Sequence, residues 1–164
     1  MEQSTCERAM KILLVEDNPI DVRLMLYALR QQEDWLKEIV VIEDGEKAIR
    51  YLLDQNSSAN PTNPDVVMLD LHLPKRDGTE VLQIIRATEG LRDLPVIVLS
   101  SSPVDITEAI VRRANVDATC YITKPANLEE FLRIPTILWR ITSQSKTCPP
   151  SNAGLSAYAQ VGLN

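Results

Sequence analysis

Four short apolar runs, each closed by a polar side chain, constrain this chain more than any other feature: Leu13-Leu14-Val15-Glu16-Asp17, Val66-Val67-Met68-Leu69-Asp70, Val96-Ile97-Val98-Leu99-Ser100 and Cys120-Tyr121-Ile122-Thr123-Lys124. Runs this short, rich in Val, Ile and Leu and without polar alternation, read as strands buried on both faces. The longer segments between them carry apolar residues at helical spacing, so the repeating unit is strand-helix-strand and the sheet is parallel. With a shorter fifth run, the strands are predicted at Ile12 to Val15, Ile39 to Ile42, Val66 to Leu69, Val96 to Leu99 and Cys120 to Thr123. Parallel strands share one carboxyl edge, where open α/β sheets place their chemistry. Glu16, Asp17, Asp70, Ser100 and Lys124 are thereby expected to converge.

The helix starts are well marked. Asn18-Pro19-Ile20-Asp21 offers a cap, a proline at the first helical position and an acid at the third. Ser102-Pro103-Val104-Asp105 repeats that pattern, and Asn127-Leu128-Glu129-Glu130 is a variant capping box. Two more helices follow Asp44-Gly45 and Asp77-Gly78, with Ala48, Ile49, Leu52 and Leu53 on one apolar face and Val81, Leu82, Ile84 and Ile85 on the other. The polar, proline-punctuated segment Gln55 to Pro64 has no core anchor and is predicted to be mobile. Pro135 inside the last helix predicts a kink or early break. Residues 1–10 read as an extension, 11–142 as one domain, and 143–164, rich in Ser, Pro, Ala and Gly, as a flexible tail.

The 164 residues fit one domain, and a net charge of −6 argues against nucleic acid or an anionic membrane surface as partner. Proteins are the expected partners. No apolar stretch approaches the ~20 residues of a membrane span. The three cysteines, Cys6, Cys120 and Cys148, are far apart and odd in number, which predicts neither a disulfide framework nor a zinc site and points to a reducing, cytoplasmic setting. No glycine-rich nucleotide loop occurs, and the one histidine is His72.

Asp70 ends the most apolar central run and precedes a turn. Held at its base and exposed at its tip, such a carboxylate can attack phosphorus and form an acyl phosphate. That reaction needs the phosphoryl charge neutralised by a divalent cation and one fixed positive group. Glu16 and Asp17 with Asp70 are candidate ligands for Mg²⁺, and Lys124 is the candidate fixed cation. Singly, these residues are as well explained as caps, turn residues or surface charges. The ordered conjunction of acid pair, acid, hydroxyl and lysine on four strand ends is what points to chemistry.

With those motifs in hand, the chain from about Lys11 to Trp139 resembles a two-component response-regulator receiver domain. Val15-Glu16-Asp17-Asn18 is similar to the family's acidic pair, Asp70-Leu71-His72-Leu73-Pro74 with Gly78 to its phosphoacceptor loop, Ser100 to its switch hydroxyl, and Lys124-Pro125 to its lysine and following proline. The resemblance implies a doubly wound, flavodoxin-like parallel sheet of order 2-1-3-4-5 with five helices, and phosphorylation of Asp70 by a histidine kinase. It implies Mg²⁺ or Mn²⁺ bound by Asp17 and Asp70 directly, by Glu16 through water, and by the backbone carbonyl of His72. It further implies a switch in which the Ser100 hydroxyl moves to the phosphoryl group and the Tyr121 ring swings inward, and a cis bond between Lys124 and Pro125. No enzyme activity beyond autocatalytic phosphorylation and self-dephosphorylation is implied. The wording from Val15 to Leu24, Asp70 to Gly78 and Cys120 to Lys124 resembles single-domain regulators that partner bacterial phytochromes. That likeness implies a phytochrome-type kinase, an unknown downstream protein, and a homodimer through helix 4, strand 5 and helix 5. The apolar surplus of the last helix, Phe131, Leu132, Ile134, Ile137, Leu138, Trp139 and Ile141, is too wide for one inward stripe and is expected to be partly covered by a second copy. Two other readings compete. A haloacid-dehalogenase-type phosphatase would require an Asp two residues after the nucleophile, where this chain has His72. A receiver-like adaptor acting without phosphorylation is disfavoured by the intact acid set.

Overall fold

Strict alternation along the central strands sorts their side chains into two cores, one on each face of a sheet. The computed structural model describes residues 10–31, 36–143 and 159–161. Its elements run β1 (Met10–Val15), α1 (Pro19–Arg30), β2 (Leu36–Ile42), α2 (Gly45–Ser57), β3 (Val66–Asp70), α3 (Gly78–Ala87), β4 (Val96–Ser100), α4 (Val104–Arg113), β5 (Cys120–Thr123), α5 (Leu128–Phe131), α6 (Ile134–Ser143) and β6 (Ala159–Val161). Five strands are parallel in the predicted order 2-1-3-4-5. Ile12, Leu14, Met68, Ile97 and Ile122 point to the side covered by α1, α5 and α6. Leu13, Val15, Val67, Leu69 and Val98 point to the side covered by α2, α3 and α4. Each such side chain taken out of water contributes about 1.5–3 kcal/mol before the entropy cost of ordering the chain is counted.

The caps set where the helices begin. Asn18 Oδ1 accepts from the amides of Ile20 and Asp21 at 2.9 and 3.3 Å, with Pro19 at the first helical position. Asp44 caps α2, Asp77 forms a capping box with Glu80, and Asn127 caps α5. At α4 the expected Ser102 cap is replaced: Pro103 holds the cap position without a side-chain bond. Ser102 is committed elsewhere, its amide donating to Ser100 Oγ at 3.1 Å and its carbonyl accepting from the Thr123 hydroxyl at 3.3 Å.

The break expected at Pro135 is present, and four other expectations are corrected. The last helix is two helices, with Leu132 and Arg133 between them and Pro135 in the first turn of α6, where its missing N–H costs nothing. Phe131, Ile134, Ile137, Leu138 and Ile141, which share one helical face, all turn inward, leaving Leu132 as the exposed member and Trp139 half-buried. Most of the apolar surplus is therefore core. The segment before β3 is anchored: Pro64 is buried, Asn63 Nδ2 donates to Asn56 Oδ1 at 3.1 Å, and Asn56 Nδ2 donates to the Glu89 carbonyl at 2.9 Å. Residues 159–161 of the tail add an antiparallel sixth strand to β5, pairing Tyr121 with Gln160; residues 144–158 lie outside the described part, as do residues 1–9 of the expected extension 1–10, whose last residue, Met10, instead opens β1 and is buried. The Cys120 sulfur takes part in a disulfide, which the spacing of the cysteines did not predict. No helix among the described residues is long and apolar enough to cross a membrane.

Candidate functional site

The parallel register delivers the strand ends to one place. Asp70 is the last residue of β3 and 3% exposed. Its Oδ1 accepts from the His72 amide at 3.0 Å, and its Oδ2 faces the Lys124 ammonium at 2.9 Å. Glu16 follows β1, tied to β2 by its amide donating to the Ile42 carbonyl at 3.0 Å. The Glu16 carboxylate is 2% exposed; Oε1 accepts from the Asn18 amide at 3.0 Å and Oε2 lies 2.8 Å from Lys124 Nζ. Asp17 is exposed beside them. One carboxylate oxygen each of Glu16, Asp17 and Asp70 lies within 4.8 Å of the others. A hard, all-oxygen donor set of this charge suits Mg²⁺ or Mn²⁺, which take carboxylate oxygens and retain waters. His72, two residues after Asp70, is exposed.

Lys124 extends the β5 ladder, its amide donating to the Ser100 carbonyl at 2.7 Å. All described peptide bonds are trans, including Lys124–Pro125, which corrects the cis expectation. The strand register and the reach of the four-carbon side chain suffice to bring the ammonium to Asp70. Sequence reasoning missed a third carboxylate there: Asp21 Oδ2 lies 3.0 Å from Lys124 Nζ. The available signal was its place in the first turn of a helix that starts at the carboxyl edge of the sheet. Ser100 is buried at the end of β4, where its Oγ accepts from the Ser102 amide. Tyr121 is already inward, 1% exposed, with its hydroxyl accepting from the Ala118 amide at 3.2 Å.

Burial pushes the Glu16 carboxyl up to about 7, against the pull of Lys124 and the Asn18 amide, and the nearby charge of Asp70 adds to the rise. Burial alone would lower the Lys124 ammonium, but its bonds to Glu16, Asp70 and Asp21 outweigh that and hold it above its ordinary value. A carboxyl raised by folding stabilises the protein fully below its unfolded value of 4.5, and that contribution is lost as pH rises through about 7. The raised lysine, by the same sign, contributes fully below 10.5 and is silent across this window. In chelator, the melting temperature of the native protein is therefore expected to fall relative to Glu16→Gln between pH 4.5 and 7. Parallel pH profiles of the two proteins would remove Glu16 as the cause.

Residues 12–134 match the family model for the response regulator receiver domain. Among curated relatives, the response regulator Rcp1 of Synechocystis sp. is 34% identical over 123 residues, covering 75% of this chain and 82% of the relative. Among solved structures, the phosphorylated cyanobacterial phytochrome response regulator RcpA superposes with a TM-score of 0.70 at 37% identity, covering 87% of this chain and 99% of that one. The Mn²⁺-bound form of Rcp1 superposes with a TM-score of 0.67 at 31% identity, covering 86% and 99%.

Proposed function

This chain belongs to the response regulator receiver-domain family and is related to phytochrome response regulators, and we propose that it accepts a phosphoryl group on Asp70 from a histidine kinase, in the first instance one of phytochrome type. The observation that carries the reading is the Lys124 ammonium held on Asp70 and Glu16 at 2.9 and 2.8 Å, with Asp17 completing a three-carboxylate cluster. Asp70 is the nucleophile, fixed by the His72 amide and the lysine so that its carboxylate meets the incoming phosphorus in one orientation. Glu16, Asp17, Asp70 and the His72 carbonyl would hold the divalent cation. Bound there, the cation neutralises charge on the phosphoryl oxygens. Lys124 supplies the second positive charge without giving up its proton. The reaction is modification of the chain itself and loss of that group, with no other substrate.

Output follows from the same edge. Ser100 sits beside Asp70 on the neighbouring strand; its Oγ now accepts from the Ser102 amide, and turning the hydroxyl to donate to a phosphoryl oxygen instead would couple the site to the start of α4. We read this as a population shift between two packings, with Tyr121 behind it in the inward one. The signal would leave by protein contact. On the α4 side the described surface offers a second copy the exposed Ile106 and Ile110, while β6 lies along the edge of β5.

The test is acetyl phosphate with Mg²⁺, read by intact mass. A mass gain that hydroxylamine removes is expected, as for an acyl phosphate; an unchanged mass would overturn the reading and favour a phosphorylation-independent adaptor. Lys124→Met is expected to slow the gain by about 10²–10³-fold, the scale of losing one preorganised charge-stabilising donor. It would also leave the buried Glu16 and Asp70 charges without their cation, so chelator is expected to lower its melting temperature far more than that of the native protein. Thermal unfolding with and without Mg²⁺ checks this.

A further inference from the structure

An ammonium group has three N–H donors, and Lys124 has three carboxylates around it at 2.8, 2.9 and 3.0 Å: Glu16, Asp70 and Asp21. The first two have second duties. Glu16 and Asp70 belong to the acid cluster fit for a cation, and Asp21 does not. Asp70 loses its carboxylate charge once its oxygen is bonded to phosphorus. Asp21 alone can keep its bond to the lysine before, during and after transfer.

Its own placement suits an anchor. Asp21 is in the first turn of α1, its amide bonded to Asn18 Oδ1, and α1 is fixed to the core through Met25, Ala28 and Leu29. Beside the Asp21–Lys124 pair, Leu14, Met25, Leu99, Pro125 and Phe131 line an apolar wall that lowers the local dielectric and strengthens the pairing. The two side chains are only 24% and 14% exposed, unlike surface ion pairs, which contribute little. Without Asp21 the ammonium would sit on a flexible stem, held only by Asp70, whose charge the reaction removes, and by Glu16, which the cation also claims.

From this geometry we propose that Asp21 is a positioning residue for phosphoryl transfer, keeping the Lys124 ammonium aimed at the phosphoryl oxygens on Asp70; the proposal rests on the phosphoacceptor reading of Asp70. In the step concerned, an Asp70 oxygen forms a bond to the phosphorus of acetyl phosphate, the bond from phosphorus to the acetyl oxygen breaks, and acetate leaves with that electron pair. Lys124 stays protonated throughout.

Asp21→Asn in the full chain, at saturating Mg²⁺, is expected to slow phosphorylation by acetyl phosphate about tenfold, the loss of one charge-assisted hydrogen bond. Asp21→Glu, which keeps the charge in the first helical turn, should recover part of the rate. In a Lys124→Met background Asp21→Asn should cause no further slowing, because its effect passes through the lysine. An unchanged rate in Asp21→Asn, or the same slowing factor in both backgrounds, would overturn the proposal. A second readout needs no transfer: in the metal-free native protein the Lys124 ammonium protons should give a slowly exchanging NMR signal that Asp21→Asn loses, and a signal that survives unchanged would also overturn it. Failure of the native protein to take phosphate, with the ammonium signal responding as expected, would instead locate the error in the phosphoacceptor reading and remove the positioning role with it.

Discussion

Asp70→Asn is expected to abolish phosphoryl incorporation from acetyl phosphate, lowering it by about 10³-fold or more, because an amide is no nucleophile at neutral pH. The fold should survive. The isosteric amide oxygen can still accept from the His72 amide in place of Oδ1, now 3.0 Å away. The amide nitrogen would then face Lys124 and give up the 2.9 Å bond, yet the ammonium retains Glu16 and Asp21. Removing one of two neighbouring buried negative charges also relieves Glu16, so the net change in stability should stay within about 1 kcal/mol. Intact mass together with urea unfolding separates these effects. Mass gain that persists in Asp70→Asn and maps to Asp17 would move the acceptor to the exposed carboxylate of the cluster.

The site was legible in the sequence to the extent that strand register is legible. A buried parallel strand has only one carboxyl end, and all five ends lie on the same edge, so apolar runs closed by Glu16, Asp70, Ser100 and Lys124 specify a meeting place before any contact is known. Asp21 escaped because a local explanation was already sufficient: an acid in the first turn after Asn18-Pro19 favours the helix start by itself. Its bond to Lys124 spans 103 residues, and no local pattern encodes a separation of that size. The segment before β3 was misjudged for a related reason. Its asparagines look like solvated loop residues, yet Asn56 and Asn63 bond to each other and to the Glu89 carbonyl, a network invisible in composition.

The apolar surplus at the end of the domain shows the opposite failure, a correct local signal carried to the wrong place. Pro135 predicted a break, and the helix does break at Leu132 and Arg133, while the buried residues on both sides keep the spacing of one helical face. At about 100° per residue Phe131, Ile134, Ile137, Leu138 and Ile141 fall within about 120° of one helical face, and they are the buried ones. Leu132 and Trp139 lie off that face, and only they remain as outer apolar surface, one exposed and one half-buried. The amount of apolar surface left for a partner is correspondingly smaller.

The position of Asp70 depends as much on a residue without a side chain as on any charged one. Gly78 begins α3, and its amide donates to the Leu71 carbonyl at 2.9 Å, drawing the helix start onto the end of β3. A Cβ on Gly78 would stand 2.3 Å from the Asp70 carbonyl oxygen and 2.6 Å from Leu71 Cα, both backbone atoms that cannot rotate aside. Gly78→Ala must therefore separate α3 from β3 at the acceptor itself, at an expected cost of about 3 kcal/mol or more, the upper end of overpacking effects. Gly90→Ala is the internal control. Its Cβ would meet the Asn56 side chain and no backbone atom, with Oδ1 at 2.4 Å, and it adds the strain of a φ of +87° for a residue other than glycine. Asn56 can turn aside only by giving up its bonds to Asn63 and the Glu89 carbonyl, so about 2 kcal/mol is expected, still below the backbone clash at Gly78. Urea unfolding should rank Gly78→Ala well below Gly90→Ala, and at concentrations where both remain folded only Gly78→Ala should slow phosphorylation, since only it displaces Asp70. The reverse ranking would mean that the contact between α3 and β3 yields more easily than its backbone spacing implies.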